Sequence, residues 1–135
     1  MDIIYPIFTL VLLTFLITAA VGASRLISVR RREVNPKYYV LMDGDTPPDY
    51  VQKLSRNYAN LLELPMLFYV LGALMIAAGI NDVTLVNLAW LFVGLRLLHT
   101  GIHITYNHTI HRFLVFLASV ITLMVMWLQF YLLVS

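Results

Sequence analysis

Four apolar stretches, each long enough to cross a bilayer, take up most of this sequence and leave it few other ways to fold. They run over about 4–27, 54–79, 84–106 and 113–134. A helix needs about 20 mostly apolar residues to span the hydrocarbon core. Lipid offers no partner to open backbone, so each stretch is predicted to be an α-helix. Of the 135 residues, 61% are hydrophobic and 12% charged, against roughly 45–50% and 25% in ordinary soluble domains. A soluble fold of this size has too little interior to hide that surface. The chain therefore reads as one domain over residues 1–135, an all-α integral membrane bundle of four transmembrane helices.

The connections are unequal. The first, residues 28–53, carries VRRREVNPKYY and DGDTPPDY, whose Gly and Pro content reads as turn and loop. The second is only INDV and the third NHTIH, short enough to make successive helices antiparallel. Arg25, Arg30, Arg31, Arg32, Lys37, Lys53 and Arg56 cluster around the first connection, and Arg112 sits at the third. The second connection and both termini carry no Lys or Arg. The positive-inside rule then puts the first and third connections in the cytoplasm and both termini outside. Tyr5, Trp127 and Tyr131 fall where an outer aromatic belt would form. The N-terminal stretch has no basic lead, is too long for a signal core of about 7–15 residues, and ends in arginines; it reads as a membrane helix. Without cysteine the chain has no disulfide, thiolate metal site or thiol nucleophile of its own.

Ionisable residues inside spans cost about 2.5–3.5 kcal/mol each on insertion scales and usually face protein and carry function. The second span has Arg56, Asn60 and Glu63 at i, i+4, i+7, on one face. The third has Arg96, His99, His103 and Tyr106 at i, i+3, i+7, i+10, again on one face. Glu63 lies ten residues inside Lys53, and Arg96 ten inside Tyr106, so both sit about 15 Å from the cytoplasmic edge. Matched depth predicts a ladder: Glu63 to Arg96, Asn60 to His99, Arg56 near His103 or Tyr106. Pro65 frees the carbonyl of Leu61 and bends the second span beside it. One reading is that the ladder only staples the bundle. The other is a partly hydrated cationic pocket with one internal acid, open to the cytoplasmic rim at Arg56 and Arg30. Such a pocket suits a small anionic molecule with an amino group.

His99 and His103, at i, i+4, have the spacing of a metal pair. Further ligands would have to come from His108, His111 or Glu63. The pair reads instead as hydrogen-bonding pocket residues, with no metal. Thr18 and Gly22, Ala19 and Ala23, and Ala73 and Ala77 are small-xxx-small pairs, expected to let helices of one chain approach closely; contact between subunits is the alternative.

Together these residues resemble the MAPEG superfamily, membrane-associated proteins of eicosanoid and glutathione metabolism. Its second helix carries Arg-x-x-x-Asn-x-x-Glu followed by Pro and Phe, and RNYANLLELPMLF supplies Arg56, Asn60, Glu63, Pro65 and Phe68. Its third helix carries Arg-x-x-Tyr-x-x-x-Tyr, and RLLHTGIH supplies Arg96 with His99 and His103 at the tyrosine positions. The basic end of its first helix is similar to SVRRR. The resemblance covers nearly the whole chain and implies a bacterial-type member in an inner membrane, assembled as a homotrimer. It implies glutathione as co-substrate, bound between subunits and facing the cytoplasm, and a small lipophilic electrophile as second substrate. Arg56, Asn60 and Glu63 would hold the glutathione carboxylates and ammonium, with Arg30 from a neighbour; His99, His103 and Tyr106 would complete the pocket. The arginine that steadies the thiolate in the family falls here at Ile110, which leaves Arg112, two residues on, as candidate catalytic group beside Arg96. The implied activity is glutathione transferase or peroxidase. A non-enzymatic lipid-binding or membrane-interaction role on the same fold is the alternative. The bilayer is the expected partner, and nucleic acid is not.

Overall fold

The computed structural model describes residues 2–135. Its helices are α1 (Ile4–Arg30), α2 (Tyr38–Leu41), α3 (Asp49–Ala77), α4 (Val83–Ile104) and α5 (Thr109–Val134). The four long ones coincide with the four apolar stretches, and each is long and apolar enough to cross a membrane. α3 starts five residues before its apolar run. Pro48 caps it, with the Pro48 carbonyl accepting from the Gln52 N–H at 3.1 Å. The polar first turns of α3 thus extend the helix beyond the hydrocarbon.

Local chemistry ends the helices. α1 closes through Arg32 in the left-handed region (φ 56). There the Glu33 N–H reaches the Ser28 carbonyl at 2.9 Å and the Arg32 N–H reaches the Val29 carbonyl at 3.0 Å. This is the double bond of a Schellman turn. α3 ends the same way at Gly79 (φ 68), with the Ile80 N–H on the Met75 carbonyl at 2.9 Å. Asp82 then caps α4, accepting from the Leu85 N–H at 2.9 Å.

The first connection is more ordered than its composition suggests. It contains α2, and Asp45 accepts from the Asn35 N–H at 2.9 Å. The hydroxyl of Tyr39 shares a 2.8 Å hydrogen bond with Ser28, and Tyr50 donates to Glu33. The segment is folded against the ends of α1 and α3.

Inside the bundle, α4 packs most extensively on α5, and α1 on α3. Phe68 of α3 and Phe92 of α4 stack at 4.9 Å in the core. A Cβ at Gly72 would run into Ile7, so α1 and α3 approach closely there. The small-xxx-small pairs do not make that approach. Thr18, Ala19, Gly22, Ala23, Ala73 and Ala77 are all exposed on the outside of the chain. Facing outward beside Phe8, Phe15 and Leu16, they leave an apolar surface that water would not tolerate. The protein is a multi-pass integral membrane protein.

Candidate functional site

α4 owes its polar interior to spacing. Arg96, His99, Thr100 and His103 continue the inward face that Leu85, Ala89, Phe92 and Val93 begin, and all eight are buried. On α3 the buried face runs through Asn57, Leu61, Pro65 and Phe68. Where the two faces meet, three contacts fix the register. Lys53 Nζ donates to the Thr105 carbonyl at 3.4 Å, Thr100 Oγ1 to Asn57 Oδ1 at 3.3 Å, and Arg96 Nη2 to the Asn60 carbonyl at 3.2 Å.

That register differs from the expected ladder by one residue at Lys53–Thr105, two at Asn57–Thr100 and three at Asn60–Arg96. Arg96 meets Asn60, not Glu63. Glu63 lies two positions from both Leu61 and Pro65, about 200° around the helix from each, and its side chain is exposed. α3 runs unbroken through Pro65, which is buried. The proline leaves the Leu61 carbonyl without its helical donor, and the Arg96 guanidinium reaches the main chain one residue before it.

The result is a buried column of polar groups with unmet donors. Arg96 is 0% exposed, yet its Nε and Nη1 have no hydrogen-bond partner among the described residues. Neither has Asn57 Nδ2, His99 Nδ1 or His103 Nδ1. The His99 and His103 rings meet edge-on at 5.7 Å, and the Arg96 guanidinium lies 6.0 Å from the centre of the Phe116 ring. A buried cation with two free donors carries a desolvation cost that its one bond does not offset. Groups of this kind call for an explanation beyond stability.

The column opens sideways into a hollow of about 250 Å³ between α3 and α5. Asn60 forms one wall and His99 the floor. Thr109, Arg112, Phe113 and Phe116 form the other wall. Those four sit at i, i+3, i+4, i+7, one face of α5. α5 begins at Thr109, so Arg112 falls in its first turn, where a cation opposes the helix dipole. Arg112 is steadied by donating to Asn107 Oδ1 at 2.7 Å from a turn in which Asn107 is left-handed (φ 49). Beyond Asn60, α3 and α5 border an apolar trough of about 400 Å³, lined by Leu64, Leu67, Val120, Leu123, Met124, Trp127 and Leu128.

The chain thus brings Asn60, Arg96, His99, His103 and Arg112 into one region. It does not bring in the others. Arg56 and Arg30 are exposed. Tyr106 is exposed and its hydroxyl lies 3.2 Å from His111 Nδ1. Among the described residues, no three His, Asp or Glu gather as metal ligands would. Asn57 and Thr100 were missed from sequence. Asn57 shares the heptad of Leu61 and Pro65, and Thr100 lies four residues from Arg96, which would have found both.

No curated protein and no solved structure matches the chain. The profile of the MAPEG family matches residues 3–132, which takes in all four long helices except the last two residues of α5. The chain belongs to the MAPEG family.

Proposed function

We propose that this protein is a glutathione-type thiol transferase or peroxidase acting on lipophilic electrophiles, with its reactive centre at Arg112. The observation that carries this reading is that Arg112, Asn60 and His99 line one hollow beside a buried arginine with two free donors. That donor set fits glutathione, an anion with carboxylates and a thiol. Glutathione supplies the nucleophilic sulfur. Arg112 holds positive charge where the sulfur would rest and favours the thiolate. Asn60 offers its amide to acceptor oxygens, the buried Arg96 adds positive charge behind His99, and Phe113 and Phe116 keep water from the reacting atoms. The apolar trough next to the hollow suits a hydrocarbon electrophile.

A homotrimer completes the site in this reading. Glu63 and Arg56 are exposed on α3, and Arg30 is exposed at the end of α1. The outward small residues of α1 would let a neighbour approach closely enough to join these groups to the hollow. We place the first and third connections in the cytoplasm of a bacterial inner membrane, because the Lys and Arg residues gather there.

The test is the ultraviolet difference absorbance of glutathione thiolate on adding purified protein. A signal that disappears in Arg112→Gln is expected. No binding at millimolar glutathione would reject the proposal in favour of a non-enzymatic lipid-binding role. The apolar trough supports that second reading, which expects co-purifying lipid and an Arg112→Gln variant indistinguishable from the parent.

A further inference from the structure

A second hollow, of about 360 Å³, lies where the end of α1, the short α2 and the start of α3 converge. Arg25 from α1 and Arg56 from α3 both line it, and no carboxylate does. Arg25 is half-buried, and its Nε is enclosed without a hydrogen-bond partner among the described residues. Its guanidinium carbon sits 5.6 Å from the centre of the Tyr39 ring. Tyr39 is fixed in turn, by its 2.8 Å bond to Ser28 and by the edge of Tyr38 at 5.1 Å. Ser55 adds a hydroxyl to the wall, while Met42 and Val51 make one side apolar.

Two guanidinium groups on one small space repel each other unless an anion lies between them. Each offers a planar fork that matches oxygen acceptors two at a time. A carboxylate has two oxygens and one charge, enough for one fork. A phosphodiester has no more; a phosphate monoester has three terminal oxygens and up to two charges, and can meet both. The apolar side then has room for the stem of an ester. The hollow also lies where α1 and α3 leave their apolar runs, which is where a spanning helix meets the headgroup region.

We propose that the hollow between α1, α2 and α3 binds a phosphate ester, gripped by Arg25 and Arg56 with Tyr39 and α2 as its cover. The ester is a monoester, either the headgroup of phosphatidic acid or a soluble phosphate compound; the chemistry is the same. This site goes beyond the proposed reaction, which uses the hollow at Arg112 and shares only Arg56 with it.

The experiment uses the full-length protein in two arms. Inorganic phosphate is titrated in detergent and followed by phosphorus NMR line broadening. Phosphatidic acid retained after extraction from phosphatidic acid–phosphatidylcholine vesicles is counted by native mass spectrometry. Arg25→Gln is expected to weaken binding about tenfold in at least one arm, the loss of a charge-assisted pair. Ser55→Leu, which fills the hollow and leaves the charges in place, is expected to do the same. Arg31→Gln and Arg112→Gln are expected to leave binding unchanged. Loss confined to the lipid arm identifies a headgroup; loss in the phosphate arm identifies a soluble ester. The proposal is overturned if the parent holds neither probe. It is equally overturned if Arg25→Gln and Ser55→Leu both bind normally, or if Arg31→Gln costs as much as Arg25→Gln, which would mark diffuse surface charge. Glutathione binding is expected to survive Arg25→Gln, so failure here leaves the reading of the Arg112 hollow standing.

Discussion

Arg96 of α4 gives one N–H to the main-chain carbonyl of Asn60 on α3, at 3.2 Å, and its Nε and Nη1 meet no partner among the described residues. The two helices are therefore joined at this depth through backbone and not through a carboxylate. Glu63, the acid nearest Asn60 in sequence, stays on the outer face of α3. A cation held this way is a poor source of stability, and its unpaired donors are enclosed in the bundle beside His99.

Replacing Arg96 by methionine tests that split. An apolar side chain of similar reach in place of a buried, under-satisfied charge is expected to be neutral or stabilising by about 1–4 kcal/mol. Unfolding by sodium dodecyl sulfate titration in mixed micelles measures it. Glutathione binding by the same variant is expected to be lost. A strongly destabilised Arg96→Met would mean that the charge serves the fold.

The Asn57–Thr100 pair behaves in the opposite way. Thr100→Val leaves the buried Asn57 amide without its donor, at an expected cost of about 1–3 kcal/mol. Adding Asn57→Leu removes the stranded amide, so the double variant is expected to recover most of that loss. A double variant whose loss equals both single losses combined would show that the two side chains do not interact.

Close approach of α1 and α3 depends on Gly72. Gly72→Leu is expected to overpack against Ile7 and cost about 1–3 kcal/mol. Ile7→Ala in the same chain is expected to restore part of it, as read by thermal unfolding. Absence of rescue would place the contact elsewhere.

Arg112 is expected to set the pH dependence of turnover. A cation beside the sulfur favours the thiolate, so thiolate forms at lower pH with Arg112 than without it. Arg112→Gln should move the rising limb of the rate–pH profile upward by about one unit. At pH values below that limb, the rate falls about tenfold. An unmoved profile would mean that Arg112 does not face the reacting atom.

The four spans were readable because length and apolar content leave a bilayer chain little choice. The faces of α3 and α4 were readable in part, since a 3.6-residue period assigns side chains to one side of a helix. It does not assign the axial offset between two helices. Depth alone pairs Arg96 with Glu63, while the contacts Lys53–Thr105, Asn57–Thr100 and Asn60–Arg96 lie one, two and three residues from that pairing. Arg112 stands two residues past the family position and was hard to place from spacing alone. Only the left-handed turn at Asn107 and the start of α5 at Thr109 turn it toward His99. The small residues of α1 were expected inside and lie outside, because sequence spacing alone does not say which neighbour a smooth helix face meets.

The most direct check on the site at Arg112 is equilibrium binding of glutathione to purified protein, followed by thiolate absorbance, in the parent, Arg112→Gln and Arg96→Met. The expected result is saturable binding with a thiolate band in the parent, loss of the band in Arg112→Gln, and loss of binding in Arg96→Met. Binding of equal strength in all three proteins would contradict it, because the thiol would then rest somewhere other than the hollow between α3 and α5.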